Sequence, residues 1–521
     1  MIKGLQCFLL ISSMVSVSLF GGKNLALTKE IDNRRECVVY SVPKLSTVFE
    51  TESETVPEAA PEYTAGYAEG FWIDEEETVY LLKSYGKTVL ELKKDGIREI
   101  ELSASVLPTE IICTEDNMYV YDEILSELQV YTKDGGILYR DSIEFSDDYM
   151  RCLIKDDEKV EVLSYDGQRL VMDEESGTLV SLKKEALPEV APGEYDYAEY
   201  IGTDAEENVY AVYTTLVKDC SVLAGELTLR AVSGDGELLG SHVLPIEEYT
   251  FLPRQYAQVL PNGNIYLLVP TEEAVEIRKV SLKEETVSNI SLISETAFEA
   301  EREYASDAQS RRNQGKDCKE KVKLSRNEVY KRAQDMAEYE WILKKTHTNT
   351  SKANSGVTLP REIQAMKDAN AEKSSWSVTM KGIPYCWGGF YALDMGYENN
   401  TFKKVIKNGY VAGNINANGY YKYLTAGLDC SGYVGAALGI KKKINTTSLS
   451  DIGSKVSDVK KLEKMDILVW PGDHVIFFCE WLDDATFLVS EANVRNGKAI
   501  TQPKTLNNLI VTANYQMRSP W

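Results

Sequence analysis

A strand-and-turn unit recurs through residues 71–295, and no other feature constrains the fold as much. Each copy places an apolar residue, usually followed by Tyr, directly after acidic or Asn residues. The copies are Glu76-Glu77-Thr78-Val79-Tyr80, Glu115-Asp116-Asn117-Met118-Tyr119, Asp157-Glu158-Lys159-Val160-Glu161, Glu206-Glu207-Asn208-Val209-Tyr210 and Asn262-Gly263-Asn264-Ile265-Tyr266. The spacings are 39, 42, 49 and 56 residues. Behind the first four comes a turn and another strand, at Asp95-Gly96, Asp134-Gly135, Ser176-Gly177 and Asp235-Gly236. Asp-Gly and Ser-Gly supply the positive φ of a hairpin turn, and the flanking runs alternate as half-buried strands do.

Repeats of this length with about four strands each imply an all-β, β-propeller-like region. Five units are visible, and a sixth is expected to assemble from the two ends of the region. The stretch resembles the beta-propeller repeats of secreted bacterial proteins, and it contains no constellation of catalytic residues. A propeller of this kind implies a binding or positioning role toward a ligand the sequence does not name.

The rest of the chain divides around this region. Residues 1–26 open with Lys3 ahead of a mostly apolar run from Cys7 to Phe20, which resembles a secretory signal. The run is shorter than the roughly 20 residues of a membrane span, so an N-terminal anchor is the most membrane attachment it implies. The expected location is extracellular or in the cell envelope. Residues 27–70 form an entry segment able to contribute to a blade. Residues 296–324 are a charged linker. Ser325-Arg326-Asn327-Glu328 is a capping box that opens a helix expected to run to about Lys345, and residues 325–521 form a second domain.

Charge separates the two halves. The chain carries net −24, yet residues 323–521 hold 26 basic and 19 acidic side chains, net +7. The remaining 322 residues are therefore strongly acidic, which argues against nucleic acid as a partner and suggests that the acidic region docks on the basic one.

Nine cysteines are scattered singly, without a C-x-x-C pair, so neither a zinc ribbon nor a disulfide scaffold is indicated. One has a distinctive setting. Leu428-Asp429-Cys430-Ser431-Gly432-Tyr433-Val434 starts a short apolar helix at Cys430, with Gly439 placed to end it. A thiol at a helix N-terminus faces unpaired N–H groups and the positive end of the dipole, which favours thiolate. The same amides can hold an oxyanion.

A thiol nucleophile needs a base, and the chain has three histidines: His242, His347 and His474. Only His474 is both downstream of Cys430 and at the start of an apolar strand, Val475-Ile476-Phe477-Phe478. On the next strand Glu491 can accept the other imidazole N–H, with Asn493, two residues on, as the alternative.

These motifs make residues 325–521 resemble the NlpC-type cysteine peptidases, a papain-like α+β family of bacterial cell-wall endopeptidases. The match rests on Gly382-Ile383-Pro384-Tyr385-Cys386-Trp387-Gly388-Gly389, on Asp429 to Val434, on Asp466-Ile467 leading to His474-Val475, and on Glu491-Ala492. The resemblance implies Cys430 as nucleophile, His474 as base and Glu491 as its orienting partner. It further implies that Tyr385, Asp429 and Ser431 support the substrate or the oxyanion. Three departures stand out. Lys464-Met465-Asp466 replaces the usual Pro-Gly-Asp, Glu491 stands where many relatives have His, and residues 390–427 are a long Asn-, Gly- and Tyr-rich insertion beside the nucleophile.

The function implied is hydrolysis of an amide through a thioester, in peptidoglycan stem peptides or another cell-envelope peptide, with no metal or organic cofactor. Two other readings remain at this level. One is a propeller-based binding protein with a silent peptidase-like domain. The other is a thiol amidase or acyltransferase acting on a non-wall substrate. A metal site built from Cys386, Cys430, Cys479 and His474 is a third arrangement these residue types permit, though the first and third cysteines read more simply as core residues.

Overall fold

The computed structural model describes residues 15–19, 23–30, 36–43, 68–282 and 322–521, apart from connecting segments 84–86, 95, 144–149, 157–158, 165–167, 174, 183–194, 218–220, 245–255, 272–273, 354–355, 418–420 and 511–514. The expected signal up to residue 14, most of the entry segment and the linker through residue 321 lie outside the described residues.

The chain begins with β1 (Val15–Leu19), β2 (Lys23–Glu30) and β3 (Glu36–Pro43). Four antiparallel sheets of four strands follow. The first holds β4 (Gly70–Ile73), β5 (Val79–Lys83), β6 (Thr88–Lys93) and β7 (Gly96–Glu101). The second holds β8 (Pro108–Cys113), β9 (Asn117–Asp122), β10 (Glu127–Thr132) and β11 (Ile137–Ser142). The third holds β12 (Met150–Asp156), β13 (Lys159–Ser164), β14 (Arg169–Asp173) and β15 (Thr178–Leu182). The fourth holds β16 (Tyr197–Thr203), β17 (Val209–Leu216), β18 (Gly225–Val232) and β19 (Leu238–Val243). The fifth sheet joins β20 (Ala257–Val259), β21 (Ile265–Pro270) and β22 (Ala274–Val280) to β3, with β2 and β1 outside it.

This is a propeller-like arrangement, with five such sheets among the described residues. The fifth unit is itself the one built from both ends of the region, because β3 pairs antiparallel with β22. No sixth sheet of this kind occurs among the described residues. The first and fifth sheets meet through Gln258, which accepts from Ile73 N (2.8 Å) and donates to Ile73 O (2.9 Å).

An aspartate just upstream of the repeated acidic residues has a local physical role in the first and fourth copies. Asp74 accepts from Thr78 N at 2.7 Å, and Asp204 accepts from Glu206 N and Asn208 N, closing the turn from the innermost strand to the second one. The Tyr that follows is buried, and Tyr210 donates back to Asp204 at 2.9 Å. Gly135, Gly177 and Gly236 take φ of +86°, +67° and +84° in the next turns, as the sequence requires. Gly96 differs, opening β7 instead.

Residues 322–521 start with α1 (Arg326–Ala337), where both halves of the Ser325–Glu328 capping box are formed. The helix is shorter than expected. From Glu340 the residues alternate exposed and buried, with Trp341 and Leu343 inside, and a period of two cannot continue a helix. They form β23 (Glu340–Lys344), paired with β24 (Ser377–Lys381). Between these strands lies α2 (Arg361–Ala369). The 390–427 insertion contains α3 (Phe402–Lys407) and the short parallel pair β25 (Val411–Ala412) and β26 (Thr425–Ala426). Next come α4 (Cys430–Ala437) and α5 (Thr446–Leu449).

The remaining strands build a six-stranded antiparallel sheet. They are β27 (Ser454–Lys455), β28 (Ile467–Val469), β29 (Val475–Trp481), β30 (Thr486–Asn493), β31 (Lys498–Thr505) and β32 (Gln516–Ser519), with α6 (Leu506–Ile510) before the last. Their order is β27-β32-β28-β29-β30-β31.

Both faces of this sheet are buried. Ile467, Val469, Val475, Phe477, Leu488 and Ala492 share a core with Val434, Ala437 and other residues of α1 and α4. Their strand neighbours Leu468, Ile476, Phe478, Phe487 and Val489 share a core with Tyr197, Leu227 and Leu229 of the propeller-like region. Polar contacts reinforce that second junction. Met517 N donates to Ser221 O and Leu223 N to Tyr515 O, each at 2.9 Å. Thr214 donates to Asn507 at 2.6 Å, and Arg495 pairs with Glu69 (3.1 Å) and Glu123 (3.2 Å). Among the described residues no helix is long and apolar enough to cross a membrane.

Each large apolar side chain on the sheet's outer face loses about 1.5–3 kcal/mol of burial when the propeller-like region is removed. Residues 323–521 produced alone are therefore expected to bind a hydrophobic dye and to melt well below the full chain, as read by dye fluorescence and circular dichroism. A truncated chain that melts like the whole would contradict the two-sided burial.

Candidate functional site

The head of α4 is fixed by its neighbours. Asp429 is the N-cap and accepts from Gly432 N at 2.6 Å. It also accepts from the Ser431 hydroxyl (3.1 Å) and pairs with Lys443 (2.9 Å), whose ammonium donates to Ser431 at 2.6 Å. The hydroxyl of Ser431 therefore secures the helix terminus. Gly432 is required by close approach, since a Cβ there would lie 2.4 Å from Gly389 O. At the far end Gly439, at φ +77°, closes the helix where the sequence places it. Tyr433, buried on the sheet side, bonds Ser490 (2.6 Å) and Ala333 O (3.0 Å), tying α4 to β30 and α1.

Cys430 is buried at the first position of this helix. Its Sγ lies 3.8 Å from Asp473 O, and the side chain of His474 is near enough to favour the thiolate by hydrogen bonding and by charge. His474 is presented by the tight turn 470–474, in which Trp470 N donates to His474 O at 2.8 Å. Gly472, at φ +90°, makes that turn possible, and its N–H donates to Thr446 of α5 at 3.0 Å. His474 Nε2 lies 2.6 Å from Glu491 Oε2. Sulfur, imidazole and carboxylate are thus in series, and with Nε2 committed to Glu491 the ring nitrogen left for sulfur is Nδ1.

Other candidates lie elsewhere. Asn493 Oδ1 accepts from Asn496 N at 2.7 Å in the turn after β30, so Glu491 is the residue bonded to His474. Tyr385 is buried, with its backbone bridged to Leu428 two residues before the cysteine and its N–H donating to Gly497 O. Cys386 bonds Thr425 at 3.1 Å, and burial pushes both Cys386 and Cys479 up to about 12. Among the described residues no group of three or more His, Cys, Asp or Glu is placed to hold a metal ion. His347 is buried, and its Nδ1 accepts from Lys344 N.

The insertion borders the residues just before Cys430 through backbone contacts. Phe390 bridges to Leu428, and Tyr391 N donates to Gly427 O at 3.0 Å. Its tyrosines pack against one another, with Tyr397 within 5.1–5.9 Å of Phe390, Tyr391 and Tyr421. Met465 takes φ +70°, a left-handed conformation that favours glycine.

The electrostatics correct one expectation. An ionised sulfur was expected, but burial pushes the Cys430 thiol above its ordinary value. The hydrogen bond and charge of His474 and the charge of Lys443 act downward, Asp429 acts upward, and burial prevails. Burial thus disfavours the thiolate at Cys430, against the pull of His474 and Lys443. Glu491 behaves oppositely. Burial raises it, yet Lys504 and His474 together hold its carboxyl well below the usual carboxylate range.

Two residues in this cluster carried no sequence signal read as functional. Gln502 donates to Glu491 Oε1 at 2.7 Å, and Lys504 bonds the same carboxylate at 2.9 and 3.2 Å. The available signal was the alternation Gln502-Pro503-Lys504 on a strand beside Glu491. Lys443 was likewise hidden in the run Lys441-Lys442-Lys443.

No protein-family model matches the chain, and no curated protein matches it. Solved structures do. Virginiamycin B lyase from Staphylococcus aureus matches at 10% identity over 40% of this chain and 64% of its own, with a TM-score of 0.23. The WD40 beta propeller domain of Doa1 matches at 15% identity over 51% of this chain and 76% of its own, TM-score 0.23. Glutaminyl cyclase from Myxococcus xanthus matches at 8% identity over 42% and 93%, TM-score 0.26. The match thus spans under two thirds of the staphylococcal lyase, and likenesses of this strength carry nothing about activity.

Two outcomes follow from the charges. Carbamidomethylation of Cys430, followed by peptide mass, should rise at alkaline pH rather than level off at mildly acidic pH. Because Glu491 is depressed in the folded state, its stabilisation is complete above the unfolded carboxyl value of about 4.3 and is lost as pH falls below it. Glu491→Gln should therefore lower the melting temperature at pH 7 and flatten its decline between about pH 5 and 3.

Proposed function

We propose that this chain is a cysteine peptidase that hydrolyses an amide through a thioester. The observation that carries this reading is the series Cys430–His474–Glu491 at the N-terminus of α4. As Cys430 Sγ attacks the carbonyl carbon, its proton passes to His474, and Glu491 stabilises the imidazolium. The oxyanion is met by backbone N–H at the head of α4. Gly432 N is already held by Asp429, so that role falls to the amides before it, those of Cys430 and Ser431. His474 then protonates the departing amine, and water resolves the thioester.

The similarity of Asp429-Cys430-Ser431-Gly432, His474-Val475 and Glu491-Ala492 to the NlpC-type peptidases supports a peptidoglycan stem peptide or another cell-envelope peptide as substrate. It fits an exported protein. The propeller-like region holds the sheet that carries the base, and on this reading its remaining surface positions the enzyme on its substrate.

Digestion of purified peptidoglycan, read by mass, tests the reading. The wild-type chain is expected to release stem-peptide fragments and Cys430→Ala to release none, since removing a thiol nucleophile removes the thioester pathway. Fragments released equally by both would refute the mechanism. No fragments from a wild-type chain whose Cys430 still alkylates through His474 would move the substrate away from the wall.

A further inference from the structure

Glu491 poses a problem that the series of three residues does not solve. Its side chain is fully buried, and an isolated carboxylate removed from water takes a proton rather than keep its charge. A neutral Glu491 would stabilise no imidazolium and could rotate away from the ring. The solution lies on β31. Registers Glu491↔Ile500, Val489↔Gln502 and Phe487↔Lys504 put Gln502 and Lys504 on the same face of the sheet as Glu491.

Three donors then surround the carboxylate. Gln502 Nε2 reaches Oε1 at 2.7 Å, Lys504 Nζ reaches Oε1 at 2.9 Å and Oε2 at 3.2 Å, and His474 takes Oε2 at 2.6 Å. Lys504 is itself only partly exposed. The titratable groups in contact with Glu491 are His474 and Lys504, while Tyr433 of α4 acts from the other face of the sheet, where its hydroxyl bonds Ser490.

We propose that Lys504 is a positioning residue for the reaction, keeping Glu491 anionic and aimed at His474, with Gln502 fixing the other oxygen. This rests on the peptidase reading for its role in turnover, but its effect on Cys430 is readable without a substrate. The two residues divide the work. Lys504 supplies charge and a bond, whereas Gln502 supplies a bond alone. Removing the charge should shift the pH dependence of the site. Removing only the amide should lower the rate without that shift.

The test uses the full chain and its Lys504→Met, Lys504→Gln, Lys504→Arg and Gln502→Leu variants, each checked for folding by circular dichroism. Two quantities are measured: the rate of Cys430 carbamidomethylation by iodoacetamide against pH, and peptide release from purified peptidoglycan. In Lys504→Met the alkylation profile should move toward higher pH by about one unit. Its kcat should fall roughly tenfold, with KM within about twofold of wild type. Lys504→Gln, which keeps a polar donor without the charge, should show the same shift if the methionine variant does not fold. Lys504→Arg should restore the wild-type profile, and Gln502→Leu should lose rate at an unmoved profile. Superimposable profiles for the wild type and a folded Lys504→Met or Lys504→Gln would overturn the proposal. A shifted profile alongside a wild-type chain that releases no peptide would leave Lys504 in this role and overturn the wall substrate instead.

Discussion

The six-stranded sheet at the C-terminal end of the chain has no solvent face, and most of the molecule follows from that. An antiparallel sheet commonly packs one side and wets the other. Here α1 and α4 cover one side and the propeller-like region covers the other. The two halves of the chain therefore share a hydrophobic core rather than hang on a flexible connection. The strands that carry His474 and Glu491 are clamped between them, which makes their geometry insensitive to local fluctuation.

The same clamp sets the electrostatics of the site. Burial is what raises the Cys430 thiol, and burial is what would neutralise Glu491 if Lys504 did not oppose it. A dry site strengthens each remaining charge interaction. The cation on β31 and the N-cap carboxylate of α4, itself paired with Lys443, each have a partner within 2.9 Å. The result is a thiol that burial holds back from ionisation, beside an imidazole bonded to a carboxylate kept anionic by Lys504.

The junction between the halves is mixed in chemistry. Apolar contact is joined there by Arg495 with Glu69 and Glu123, and by Asn507 with Glu199 and Thr214. Opposite net charges of the two regions thus meet in a few defined pairs. Glu69 lies just before β4 and Glu123 just after β9, and β8 and β9 run antiparallel from Pro108↔Asp122. Both carboxylates consequently fall at the same end of their sheets, the end that receives the turn between β30 and β31.

The sequence alone determined whatever is encoded within a few residues. Acidic residues before an apolar–Tyr pair specified the turns of the repeat, Gly135, Gly177 and Gly236 specified the hairpins, Ser325 and Glu328 specified a helix start, and Asp429 to Gly439 specified a short helix headed by a cysteine. Each is a local backbone requirement, so it can be read without knowing what packs nearby. Tertiary structure alone decided that β3 would close the fifth sheet, that the helix after Ser325 would yield to a strand, that burial would outweigh the dipole at Cys430, and that Lys504 would reach Glu491. Those outcomes depend on what lies across a sheet or beneath a helix, and on the loss of water there, which no spacing along the chain records.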